Sequence, residues 1–155
     1  MIDYKMPKTY VFGYGSLMNQ ESLQATLPGK QIASWVVLKG YRRAFNKAGR
    51  KGHRYLNLKP DSASQVKGVL IEVTEDELDA LKKREEGYNM IDVTEQIDPK
   101  PSVNTVVYAF IAPPFSELKI SGSYLKKVLN ALPPKEREQW LKETDFEGAE
   151  IDEEG

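Results

Sequence analysis

The sequence predicts an α+β domain: a mainly antiparallel sheet of about six strands with helices between them. Three observations carry that prediction. β-prone runs recur along the chain, from Tyr10-Val11-Phe12 through Val66–Val73 to Val103–Ala112. Stretches of helical periodicity with their own start and stop residues lie among them. Several connections are short enough to make the strands they join antiparallel.

In chain order, Tyr10-Val11-Phe12 enters the turn Gly13-Tyr14-Gly15, and Asn19 to Leu27 reads as a short helix ended by Pro28-Gly29. Ile32 to Leu38 is a strand stopped at Gly40, with Tyr41 to Asn46 extending it or starting another. Tyr55 to Leu58 is a short strand turned by Pro60-Asp61, and Val66 to Val73 follows around Gly68. Thr74-Glu75-Asp76-Glu77 is a capping box, so a helix starts there and stops at Gly87, a natural residue just past a helix end. Met90 to Ile97 alternates as a strand, and Val103 to Ala112 is closed by Pro113-Pro114. Ser121 to Leu129 is an amphipathic helix, and Lys135 to Glu143 a second one opened by Pro133-Pro134. The expected organisation is one domain over residues 1–146 and an acidic, fraying tail over 147–155.

Composition narrows the function. The 155 residues are 40% hydrophobic and 29% charged with a formal net charge of −1, ordinary globular usage without the basic excess of a nucleic-acid binder. No apolar run reaches membrane-spanning length and the first residues carry no secretory core, so the expected compartment is cytoplasmic. With no cysteine, disulfides, thiolate nucleophiles and thiolate metal sites are excluded. The single histidine, His53, lies in the glycine-rich basic stretch Lys47–Arg54, which reads as a mobile loop and a poor mount for a catalytic relay. No ligand spacing suggests a metal.

Two places hold chemistry. A strand feeding a helix through Gly13-Tyr14-Gly15-Ser16-Leu17 can aim several backbone N–H groups at one carboxylate, phosphate or oxyanion. It can equally be only a turn, and it lacks the remaining residues of the dinucleotide and P-loop patterns. The second place is the end of the helix that Thr74 opens. With Leu78 as reference at ~100° per residue, Leu81 falls about 60° away, Glu85 about 20° and Glu86 about 80° on the other side. Glu85 therefore lies on the core-facing stripe, where burial and the helix C-terminus both raise a carboxylate pKa toward the range of a general base. The alternative is a helix end already out of the core, with Glu85 solvated beside Lys82 or Arg84.

Tyr14-Gly15-Ser16-Leu17 after a first strand, the strand Gly68-Val69-Leu70, then Leu81-Lys82-Lys83-Arg84-Glu85 with Gly87-Tyr88, together resemble the γ-glutamylcyclotransferase-like superfamily. Val107-Tyr108 and Ser123-Tyr124-Leu125 fit the same resemblance, which spans Thr9 to Leu132 in order. It implies a small barrel-like α+β fold and conversion of a γ-glutamyl amide to 5-oxoproline and a free amine. It implies substrate binding by Tyr14, Gly15, Ser16, Leu17 and Tyr124, with Glu85 as acid/base and Glu86, directly before Gly87, as the backup. Tyr88 and Tyr108 are further candidates to line the pocket. Ser16-Leu17 departs from the Ser-Asn of the best-known branch, and Arg84-Glu85 looks nearer the glutathione-specific ChaC-like branch. The resemblance also implies a small-molecule γ-glutamyl substrate taken by a monomer or homodimer, with no cofactor, metal, nucleic acid or membrane. The alternative on the same fold is a non-catalytic metabolite-binding or regulatory module.

Overall fold

The computed structural model of the protein describes residues 7–49, 52–115 and 118–153. Its strands are β1 (Lys8–Gly13), β2 (Ser34–Ala48), β3 (His53–Val73), β4 (Asn89–Asp92), β5 (Ile97–Asp98), β6 (Thr105–Ile111), β7 (Lys119–Ser121) and β8 (Ile151–Asp152). Its helices are α1 (Gln20–Thr26), α2 (Glu75–Arg84), α3 (Gly122–Asn130) and α4 (Arg137–Glu143). The strands form one sheet in the order β4-β6-β1-β3-β2-β5, with β7 on β3 and β8 on β7. Pairing is antiparallel except for β1 with β6, β3 with β7 and β7 with β8. This is the α+β architecture expected, a mixed sheet flanked by helices.

The inner face of the sheet supplies a core in which Val11, Leu38, Phe45, Ile71, Leu81 and Val107 are fully buried. β1 lies between β3 and β6, so the turn that leaves it emerges from the middle of the sheet. Among the described residues no helix is long and apolar enough to cross a membrane.

Three expectations need correction. The two strands expected around Pro60 are one. Lys39 pairs with Gln65 and Tyr41 with Pro60, so residues 61–64 bulge out of β3 opposite Gly40, which has a φ of +84°. The turn signal was genuine: Asp61 accepts from the Ala63 N–H at 3.1 Å and from the Ser64 hydroxyl at 2.8 Å. It became a bulge because both flanks had β2 to pair with.

The strand expected from Met90 to Ile97 is broken after Asp92. The Asp92 carboxylate accepts from the Thr94 N–H at 3.0 Å and its hydroxyl at 2.6 Å, starting a short 3-10 turn over Thr94–Gln96.

The tail does not fray at Glu147. Ile151 and Asp152 pair with Ile120 and Ser121 of β7, and the Phe146 ring lies 4.9 Å from that of Phe45. Its acidic side chains meet partners on β2 and β3: Glu147 with Asn46 at 2.9 Å and Lys59 at 3.6 Å, Asp152 with His53 at 2.8 Å.

Candidate active site

After Gly13 pairs with Val69, the chain leaves β1 and turns through Tyr14 and Gly15 into a 3-10 turn over Ser16–Met18. Leu17 and Met18 are buried and anchor the turn, while the Asn19 side chain caps α1 by accepting from the Ser22 N–H at 3.0 Å. The first bond within the turn runs from the Met18 N–H to the Gly15 carbonyl. The N–H groups of Ser16 and Leu17 precede it and have no partner inside the turn. A Cβ built on Gly15 would sit 2.6 Å from the Tyr124 hydroxyl, so glycine is required there for close approach.

α2 approaches this turn end-on. Its capping box is complete, with Thr74 Oγ1 accepting from the Glu77 N–H at 3.2 Å and Glu77 Oε1 from the Thr74 N–H at 3.0 Å. Arg84 is the last helical residue and Glu85 the C-cap, whose N–H still bonds the Leu81 carbonyl at 2.8 Å. That last α-type bond keeps Glu85 in the direction the helix geometry assigned it. Its side chain is only 16% exposed, which overturns the solvated alternative, whereas Glu86 is exposed at the rim.

Turn, α2 end and α3 start enclose a cavity of about 1100 Å³. Tyr14, Gly15, Ser16, Leu17, Tyr124, Glu85 and Glu86 line it. Tyr14 and Tyr88 line it with their hydroxyls turned to backbone, Tyr14 donating to the Phe110 carbonyl and Tyr88 to that of Leu56 at 2.7 Å. Tyr108 does not line it. Val107 and Ala109 take the fully buried inner face of β6, and strand alternation turns Tyr108 the other way.

Burial pushes the Glu85 carboxyl above its ordinary value, against the pull of Arg84 and Lys47. The phenols around it are also pushed up. For Tyr124 and Tyr14 burial is the largest cause and the Glu85 charge the next; Tyr88 is raised by burial first and by Tyr14 and Tyr124 after it. The backbone at Leu56 and Ser16 partly opposes the rise at Tyr124. These phenols thus stay protonated, and Glu85 is the buried carboxyl of the cavity, its protonated form favoured by burial.

The sequence reading missed three contributors. Arg84 crosses from α2 to α1, donating to the Ser22 carbonyl at 2.7 Å, the Ser22 hydroxyl at 2.7 Å, Thr26 Oγ1 at 3.1 Å and Ser16 Oγ at 3.0 Å. Its Nε lies 3.7 Å from Glu85 Oε1. Tyr55 lines the cavity and packs edge-on against Tyr124 at 4.8 Å. Both ends of the basic stretch read as a mobile loop are strand. Lys47 and Ala48 end β2, His53 opens β3, and His53 faces the cavity with its ring held by Asp152; Arg50 and Lys51 lie outside the described residues. Among the described residues no three or more His, Asp or Glu side chains gather as a metal site.

Comparison with known proteins gives the family and the fold. Residues 11–129 match the family described as γ-glutamyl cyclotransferase, AIG2-like. The chain belongs to that family. Among curated proteins none matches it. A solved γ-glutamyl cyclotransferase is similar in fold, with a TM-score of 0.73 at 15% identity over 95% of each chain. An uncharacterised protein from Homo sapiens gives 0.71 at 17% identity, again over 95% of each chain. A γ-glutamyl cyclotransferase specific to glutathione from yeast gives 0.51 at 15% identity, over 88% of this chain and 87% of that one. Identities this low speak for a shared fold alone.

Proposed function

We propose that this γ-glutamyl cyclotransferase-like chain cyclises the γ-glutamyl part of a γ-glutamyl amide to 5-oxoproline, with Glu85 as the single acid/base. The observation that carries the reading is a largely buried carboxylate facing a glycine turn across a roomy cavity. The substrate supplies its own nucleophile, so most of the barrier reduction comes from holding it curled, with the α-amine against the γ-carbonyl. Glu85 takes a proton from the α-ammonium, and the freed amine forms a bond to the γ-carbonyl carbon. The carbonyl electrons move to oxygen, and backbone N–H groups of the Gly13 to Leu17 turn hold that oxyanion. Glu85 then returns the proton to the amide nitrogen, the oxyanion re-forms the carbonyl as the C–N bond breaks, and the ring nitrogen passes its second proton through Glu85 to the departing amine, so that 5-oxoproline and the free amine, as its ammonium ion, leave.

The test is release of 5-oxoproline from a panel of γ-glutamyl amides, glutathione included, by wild type, Glu85→Gln and Glu86→Gln. Product from wild type and Glu86→Gln, but not from Glu85→Gln, supports the reading. Loss confined to Glu86→Gln moves the role to Glu86. Ligand binding without product by any form makes the chain a binding module.

A further inference from the structure

The basic end of β2 is not used by the cyclisation chemistry, yet Lys47, Ala48, Gly49 and His53 all line the cavity. Lys47 is aimed there by the backbone. The β2–β3 register slips between Phe45 and Lys47, and such a bulge turns the next side chain relative to regular alternation. Its ammonium lies 5.0 Å from the centre of the Tyr88 ring and donates to the Ala48 carbonyl.

The end of α2 makes room for it. Gly87 has a φ of +89°, and a Cβ built there would sit 2.8 Å from Lys47 Nζ. The end of β2 and the Gly87-Tyr88 segment after α2 thus meet at one half-buried ammonium. Among the described residues it has no carboxylate ion-pair partner, although its charge reaches Glu85. Arg84, the other cation near Glu85, spends its donors on α1 and the turn.

We propose that Lys47 is the carboxylate receptor of this cavity and that it selects substrates whose amine component carries a carboxylate. The inference rests on the cyclotransferase reading. In a γ-glutamyl amino acid the carboxylate is two bonds from the leaving nitrogen, the atom that Glu85 must reprotonate. A receptor for it belongs beside Glu85, where Lys47 stands. The cavity, about 1100 Å³ and so just above the roughly 300–1,000 Å³ range of small-molecule sites, leaves room beyond one glutamyl group. Lys127 and His53 also line it, and Glu86 is the acidic side chain at its exposed rim. An amine component bearing a second ammonium would place like charge against Lys47.

The experiment uses three substrates that differ in one group: γ-glutamyl-alanine, γ-glutamyl-ethylamide and the γ-glutamyl amide of ethylenediamine. Wild type is expected to favour the first over the second by roughly 10–100-fold in kcat/KM, through KM, and to turn over the third least. Lys47→Met brings the first two together, Lys47→Arg restores the gap, and Lys47→Glu favours the third. Equal kcat/KM values for wild type on all three overturn the proposal. So does Lys47→Met if it weakens all three alike, because Lys47 then holds the carboxylate that the glutamyl part always carries. Calorimetric binding of the same compounds to Glu85→Gln separates the two readings. Charge-ordered binding with no wild-type turnover overturns the cyclotransferase reading alone. Binding without charge order overturns the role of Lys47, and no binding overturns both.

Discussion

Arg84 Nη2 donates to Ser16 Oγ at 3.0 Å, joining the residue before the candidate base to the turn that faces it. The same guanidinium holds Ser22 and Thr26, so α1, the turn and α2 share one cation. Its charge also opposes the burial that raises the Glu85 pKa. Arg84→Met is expected to cost on the order of 3 kcal/mol in denaturant unfolding, since several charge-assisted bonds go at once. Ser16→Ala removes one bond and should cost about 1 kcal/mol. In Arg84→Met the acidic limb of kcat/KM should move to higher pH. A merely structural arginine would leave it in place.

The proposed mechanism requires Glu85 to be ionised before it accepts the ammonium proton. Since its pKa is raised, kcat/KM should rise with pH along a limb whose midpoint lies above the ordinary glutamate value. Glu85→Gln should lose ~10²–10⁴ in turnover and lose the limb, while Glu86→Gln keeps both nearly intact. A limb that persists in Glu85→Gln points to another base, with Glu86 first in line.

The same carboxylate should cost stability. Its pKa is higher folded than unfolded, so between the two values the folded state binds more protons, and stability falls as pH rises through that window. Glu85→Gln should therefore melt above wild type at neutral pH. The gap should close below the unfolded glutamate pKa, where both forms are neutral. Melting temperatures across pH 3 to 8, on the order of one reading per unit, check this.

Gly15 and Tyr124 should be energetically coupled. A Cβ at Gly15 would lie 2.6 Å from the Tyr124 hydroxyl, so Gly15→Ala forces one of them to move. The cost should be about 1–3 kcal/mol, with weaker substrate binding. Tyr124→Phe removes the clashing oxygen, so the double variant should be more stable than the two single effects added together. Strict additivity in a double-mutant cycle would remove the contact from the account.

Much of this was legible in the chain because its determinants are local. The Thr74 to Glu77 capping box starts α2 where expected, and Glu85 follows from helix geometry because the Leu81 carbonyl still bonds its N–H. The β1 turn announced itself through Gly13 and Gly15, and Asn19 capped the helix behind it. Periodicity alone placed Leu81 inside. Other features depended on partners distant in sequence. Pro60-Asp61 became a bulge because β2 was there to pair both flanks, and the acidic tail became β8 because β7, Lys59 and His53 received it. Lys47 and His53 looked like a solvated loop because nothing in a basic, glycine-rich stretch signals that a strand pair will carry its ends to a cavity. Arg84 looked like a helix-end charge, since its four acceptors belong to residues 58 to 68 positions away. Hydrogen bonds across such separations exist only once the sheet has brought β1 and the end of α2 together, so tertiary structure alone decided them.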